Sequence, residues 1–171
     1  MLDIDNQEKL LWGKCLKILN NVSNNNLDKL LENLIAFVIQ NENILSKVAD
    51  KEFLTFVKNV HANMFVVGST KDDFERLTNN YCRLQSATTT DVWRIVSNLV
   101  WDLITMTTEE ICPQCKSDNL RLLTDMDKNI IYKSCETCFW IEVNGKGIKR
   151  PNVLLPANKN MISKYELNLL K

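Results

Sequence analysis

Hydrophobic residues recur every three or four positions through the first hundred or so residues of the chain, a spacing typical of amphipathic helices. Short polar breaks divide the pattern into separate stretches. The second stretch is apolar around much of its circumference, so we expect it at the centre of the fold. The predicted helices cover residues 11–22, 27–39, 53–64, 74–84 and 92–104. The pattern therefore predicts a bundle of about five helices over residues 1–107.

The pattern changes after Thr108, where short runs rich in β-branched and aromatic residues replace the helical stripes. Runs of this kind, bounded by polar turn residues, are typical of strands. The predicted strands cover residues 120–123, 130–133 and 139–143. We therefore expect a small β unit over residues 108–149.

The last part of the chain is expected to be extended before it forms one more short helix. Pro151 and Pro156 hold the residues before them in extended conformations, and residues 161–171 carry a short helical stripe. Because the apolar residues 153–155 would be costly to expose, we expect the tail, residues 150–171, to pack back on the body. The predicted fold is thus mainly α, with an N-terminal helical bundle and a C-terminal β ribbon.

Four of the six cysteines form two close pairs, Cys112 with Cys115 and Cys135 with Cys138. The pattern C-x2-C-x19-C-x2-C lies in the range expected for a zinc site made of four thiolates. Each C-x2-C turn directs two sulfurs at one ion, and antiparallel strands bring the two turns together. The spacing predicts one structural Zn²⁺ with no open position for a catalytic water. Rubredoxin-like iron and a redox dithiol are the alternatives.

These residues resemble the zinc-ribbon family over residues 109–149. The segment Cys112-Pro-Gln-Cys115 matches the common first knuckle of the family, and the predicted strand, turn and return strand match its hairpin. The resemblance implies a β hairpin built around the metal, and many zinc ribbons bind nucleic acid. The sequence departs from the family at Lys116 and Phe139, which stand where many ribbons have glycine.

Composition and charge argue against several classes of function. Lysine and arginine total 21, as do aspartate and glutamate, and this balance argues against a protein that binds nucleic acid mainly through phosphate neutralisation. Four scattered glycines cannot form a phosphate-binding loop. His61, the only histidine, has no nucleophile signature beside it. We therefore expect no enzymatic activity and no catalytic residues.

Membrane insertion and secretion are not expected either. No run of 18 apolar residues is present, and the first residues lack the basic and apolar regions of a signal peptide. Paired C-x2-C units in such a chain indicate metal ligands in a reducing compartment. We expect a cytoplasmic protein without a membrane partner.

Phe139 and Trp140 are the residues we expect to contact a partner. They are consecutive on a predicted strand, so their rings should point to opposite faces. One ring should cover the ribbon, and the other should be exposed to a partner. A basic patch is expected from Lys146, Lys149 and Arg150, with Lys116 and Lys133, and we interpret it as a solvated surface.

Together these features favour a non-enzymatic factor that binds another protein. In size and in the absence of catalytic motifs, the whole chain loosely resembles small bacterial immunity proteins and antitoxins, which implies a toxin as the partner. A regulator that binds nucleic acid through the ribbon is the first alternative. An enzyme whose carboxylate site is not visible in the sequence is the second.

Overall fold

The computed structural model describes residues 4–21, 26–65, 71–125 and 130–169. Within these ranges the chain forms seven α-helices, one 3-10 helix at Ala62–Met64 and six strands. The helices are α1 (Ile4–Leu19), α2 (Leu27–Gln40), α3 (Glu42–Leu45), α4 (Lys51–Lys58), α5 (Lys71–Cys82), α6 (Thr89–Ile104) and α7 (Lys159–Leu169). The strands are β1 (Thr107–Ile111), β2 (Asn119–Thr124), β3 (Ile131–Ser134), β4 (Ile141–Val143), β5 (Lys146–Gly147) and β6 (Leu155–Pro156).

The described residues fall into two compact units. Unit 1 has the bounds Met1–Asn63 and Ser69–Leu103, and unit 2 has the bounds Met64–Gly68 and Ile104–Lys171. Unit 1 holds helices α1 to α5 and nearly all of α6. Unit 2 holds the six strands and α7.

Side-chain caps set where two of the helices in unit 1 begin. The Asn26 side chain accepts a hydrogen bond from the Lys29 amide at 2.8 Å, and the Asp50 side chain accepts one from the Phe53 amide at 2.8 Å. Each cap satisfies one of the backbone N–H groups that a helix start leaves without a partner. The starts of α2 and α4 are therefore encoded locally.

Helix α2 lies at the centre of unit 1, as its apolar circumference predicts. It packs against α1, α3 and α4. Its core side chains are almost completely buried: Leu30, Leu31, Leu34, Phe37 and Val38. Helix α4 contacts α6 through the Phe53 ring, whose centroid lies 6.1 Å from that of Trp93 and 6.0 Å from that of Trp101.

The predicted bundle is only partly confirmed. The third predicted helix, 53–64, ends at Lys58. Asn59 leaves the helical conformation, and its amide donates hydrogen bonds to the carbonyls of Phe56 and Val57. Val60 and Met64 continue the hydrophobic period but lie beyond this end. The short helix α3 was not predicted, because four residues are too few to show a period.

Unit 2 is built on an antiparallel sheet in the order β1-β2-β3-β4-β5, with β6 beside β1 on the same edge of β2. Strand β2 pairs with three other strands: β1, β3 and β6. Its residue Arg121 lies opposite Ser134 of β3, and Thr124 lies opposite Ile131.

The predicted fold class is therefore wrong: the chain is not mainly α with a small ribbon, because all of the described strands join one six-stranded sheet. Three of these strands were not predicted from the sequence, each for a physical reason. Strand β1 reads Thr-Thr-Glu-Glu-Ile and is mostly exposed, so it shows no apolar alternation. Strand β6 contains Pro156, and proline argues against a strand except at an edge, where β6 lies. Strand β5 is only two residues long.

The C-terminal tail packs within unit 2. Strand β6 pairs with β2, and the Ala157 amide donates to the Leu122 carbonyl at 3.2 Å. Ile162 of α7 joins a buried cluster with Leu122 and Ile131. The tail thus extends the sheet and covers part of one face with α7.

Among the described residues, no helix has both the length and the apolar character needed to span a membrane.

We predict that Asp50→Ala lowers the free energy of unfolding of unit 1 by about 1 kcal/mol, because it removes the N-cap of α4. Asp50→Asn keeps an acceptor at the same place and should retain most of that stability. Urea unfolding followed by far-ultraviolet circular dichroism measures both variants. Equal losses for the two substitutions would contradict the capping role.

Candidate metal centre

Two turns of the same shape carry the paired cysteines. In the first knuckle, Cys112–Lys116, the Lys116 amide donates to the Cys112 carbonyl at 3.1 Å. In the second knuckle, Cys135–Phe139, the fifth residue has the same left-handed backbone: φ is 58° at Lys116 and 60° at Phe139. Both fifth residues therefore have a backbone conformation that glycine adopts without strain, although neither residue is glycine.

The structure brings the four sulfurs to one place. The Sγ atoms of Cys112, Cys115, Cys135 and Cys138 all lie within 4.8 Å of one another. The Cys112–Cys138 sulfur distance is 3.5 Å and the Cys115–Cys135 distance is 3.6 Å, each joining one knuckle to the other. A disulfide requires about 2.0 Å, so these are separate thiols. The four cysteines form a possible metal site.

Unit 2 shields one side of this cluster more than the other. Cys112 and Cys135 are fully buried, while Cys115 and Cys138 are partly exposed. Leu120 of β2 is buried against the cysteines, and the Trp140 ring packs beside them. The cluster is therefore at the surface of unit 2 but has an apolar base.

Two polar residues of the loop after the first knuckle contact the sulfurs. Ser117 Oγ donates to Cys115 Sγ at 3.2 Å, and the Ser117 hydroxyl and amide lower the pKa of Cys115 to about 6. Asp118 joins the knuckles: its carbonyl accepts from the Cys112 amide at 2.8 Å, and its Oδ2 accepts from Thr137 Oγ1 at 3.2 Å. By contrast, burial raises the pKa of Cys135 to about 12.

Phe139 and Trp140 have different environments. Phe139 is 67% exposed, and the Arg150 guanidinium carbon lies 5.5 Å from its ring centroid. Trp140 lies against the cysteine cluster and against Gly147, where an added Cβ would come within 2.2 Å of its ring. Both residues precede β4, so the predicted strand alternation does not explain why their environments differ. The left-handed backbone at Phe139 explains the difference.

Other residues singled out in the sequence are not members of the cluster. His61 is exposed in the segment between α4 and the 3-10 helix, not on a helix. Cys15 is fully buried in unit 1, where burial raises its pKa to about 12. Lys133, part of the expected basic patch, is paired with Glu110. Lys146, Lys149 and Arg150 are exposed.

Sequence reasoning missed three features that surround the cluster. The dipeptide Asn144-Gly145 has positive φ at both positions, 50° and 75°, and closes the β4–β5 hairpin. This dipeptide is a strong hairpin signal, so β5 was predictable. The roles of Ser117 and Asp118 had no such signal, because they depend on how the knuckles meet.

Comparisons with protein-family models, with curated proteins and with solved structures found no match to this chain. The function is therefore inferred from the residues and their geometry.

We predict that Cys135→Ser removes bound metal and exposes unit 2 to protease, while the helical circular dichroism of unit 1 largely survives. The reason is that apolar packing beside the cysteines is limited, chiefly to Leu120 and the Trp140 ring. Structural metal sites in finger-like peptides contribute roughly 10–16 kcal/mol of apparent binding free energy. Cys82→Ser is the matched control, because Cys82 is a half-buried cysteine outside the cluster. Loss of the whole helical signal in Cys135→Ser would show instead that both units unfold together.

Proposed function

We propose that this chain is a protein-binding factor whose C-terminal six-stranded sheet is held by one zinc ion. The donor set supports the metal. Four thiolates around Zn²⁺ at about 2.3 Å form a tetrahedron with edges of about 3.8 Å. The distances of 3.5 and 3.6 Å between knuckles are close to that edge. The sulfurs thus need only a small shift to coordinate the ion.

Zinc is proposed here as a structural ion, not a catalytic one. All four positions of a tetrahedron would be taken by Cys112, Cys115, Cys135 and Cys138, which leaves none for a water or a substrate. The ion would also neutralise part of the charge that four thiolates bring together. Tetrahedral sulfur sites hold iron as well as zinc, and the cysteine spacing favours zinc.

We predict that the protein purified without added metal contains one equivalent of zinc. Elemental analysis by mass spectrometry measures zinc and iron in the same sample, and the Cys135→Ser variant gives the background. Iron at one equivalent, or no metal, would overturn the zinc assignment.

The backbone and exposure of Phe139 carry the proposal of protein binding. A left-handed conformation costs an L-residue roughly 1–2 kcal/mol, and Phe139 has φ at 60°. The position also leaves most of a large apolar ring in contact with water. Glycine would avoid both costs. Strain of this kind is concentrated at functional sites, and aromatic side chains are enriched among the residues that dominate binding energies.

We propose that Trp140 supports the backbone on which Phe139 is exposed. Its ring lies between the cysteine cluster and Gly147, so it fixes the β4–β5 hairpin relative to the knuckle. The two adjacent aromatic residues thus have separate roles: Phe139 contacts the partner, and Trp140 holds the backbone that presents it.

Neutralisation of a toxin is the specific form of this proposal, which rests on the size of the chain and on the absence of catalytic motifs from its sequence. It requires a stoichiometric complex in which the activity of the partner is lost. Proteins that co-purify with the chain from its source cells can be tested for both properties.

We predict that Phe139→Gly lowers affinity for a co-purified protein partner by more than about tenfold but keeps zinc and leaves unit 2 at least as stable. Stability should stay level or rise by up to about 1 kcal/mol, because the relieved strain exceeds or offsets the extra chain entropy of glycine. Lys116→Gly is the matched control: it relieves the same backbone strain in the other knuckle and should keep affinity.

Calorimetric titration of the partner and thermal unfolding measure both effects. Unchanged affinity in Phe139→Gly, or an equal loss in Lys116→Gly, would contradict a contact through Phe139. Salt-sensitive binding of an oligonucleotide by the wild-type chain, lost when Lys146, Lys149 and Arg150 are neutralised, would replace protein binding with nucleic-acid binding.

A further inference from the structure

Strand β5 is the outermost strand of the described sheet on the side away from β1. Val143 lies opposite Lys146, Glu142 lies opposite Gly147, and the Ile148 amide donates to the Ile141 carbonyl at 3.0 Å. Backbone groups alternate in direction along an antiparallel strand. Those of Lys146 and Ile148 therefore point to β4, and the N–H and C=O of Gly147 point to the open edge.

The two faces of β5 differ. On one face the Trp140 ring lies directly over Gly147. On the other face, Lys146 and Ile148 are two residues apart, which places them on the same side of the strand, since the Ile148 amide continues the pairing with β4. Arg150 follows two residues after Ile148, beyond the end of β5. All three are exposed. These three residues form a strip in which an apolar residue lies between two cations, over about 13 Å.

Phe139 lies at one end of this strip. The Arg150 guanidinium carbon is 5.5 Å from the centroid of the Phe139 ring. The proposed partner contact and the open edge are thus one continuous surface, which we call the β5 edge: Phe139, Lys146, Gly147, Ile148 and Arg150.

We infer that the β5 edge binds an acidic β-strand of the partner protein, which adds to the sheet beside β5. The inference rests on the proposed function and names the kind of partner. Gly147 supplies the backbone hydrogen bonds of strand addition. Acidic side chains of the incoming strand lie opposite Lys146 and Arg150, and an apolar side chain lies opposite Ile148, as favourable cross-strand pairs require.

The charges of the β5 edge discriminate between possible occupants. A second copy of β5 would bring Lys146 and Arg150 against like charges, a standard protection of edge strands against self-association. Nucleic-acid binding draws on many phosphate contacts, typically about six to ten, and uses no strand hydrogen bonds. The edge offers two cations on one face, an apolar residue between them and a free backbone, which fit a peptide strand.

The test is selection of random linear peptides displayed on phage against the zinc-loaded full chain. We expect enriched sequences with acidic residues four positions apart around an apolar residue. Binding of a selected peptide should slow hydrogen exchange at the Gly147 amide, measured by nuclear magnetic resonance. The double variant Lys146→Glu, Arg150→Glu should bind that peptide more than about tenfold more weakly, and a peptide with lysine in place of its acidic residues should restore binding.

Lys159→Glu is the charge control, because Lys159 is an exposed lysine on α7, away from β5 in the sequence. It should bind the selected peptide as the wild type does. No enriched peptide, enrichment without acidic residues, an unchanged Gly147 amide or failure of the charge exchange would each overturn strand addition.

Phe139→Gly separates this inference from the proposed function. If Phe139→Gly loses the full partner while the β5 charge variant keeps it, protein binding stands and strand addition fails. If Phe139→Gly keeps the partner while the β5 charge variant loses it, the contact through Phe139 fails and strand addition stands.

Discussion

The meeting of four sulfur atoms from two separate turns is the constraint on which unit 2 depends. The first knuckle precedes β2 and the second follows β3, so the antiparallel pairing of these strands brings both knuckles to the same end of the hairpin. The sulfur distances of 3.5 and 3.6 Å join one knuckle to the other. The apolar material around them is small, chiefly Leu120 and the Trp140 ring. A metal ion would supply the attraction that this limited core does not, since four charged thiolates at such distances would otherwise repel one another.

The same constraint determines the surface that we propose for binding. Closing the second knuckle turns the backbone at Phe139 into the left-handed region and leaves its ring in solvent. The Cys135 amide donates to the Trp140 carbonyl at 2.8 Å, which anchors the chain on its way into β4. Trp140 then packs on Gly147, so the position of β5 follows from that of the cysteines. Metal loss should therefore disturb the β5 edge as well as the knuckles.

Features encoded by short segments were predictable, and those decided by long-range pairing were not. The cysteine spacing predicted which sulfurs meet, and the caps Asn26 and Asp50 lie at the starts of clear helical patterns. The exposed strand β1 and the proline-containing strand β6 have no strand pattern in their own sequences. They form strands because they pair with β2, which is distant from them or unrecognisable as their partner in the sequence. The hydrophobic pattern likewise continues beyond Asn59, so the third helix was predicted to end later than α4 does.

We propose that one ion coordinated by four cysteine sulfurs organises unit 2. X-ray absorption at the zinc edge of the purified protein tests this proposal, because the spectrum reports the type, number and distance of the atoms bound to the metal. We expect four sulfur neighbours at about 2.3 Å and no nitrogen or oxygen neighbour. A shell that includes nitrogen or oxygen, or fewer than four sulfurs, would contradict a closed site made of Cys112, Cys115, Cys135 and Cys138.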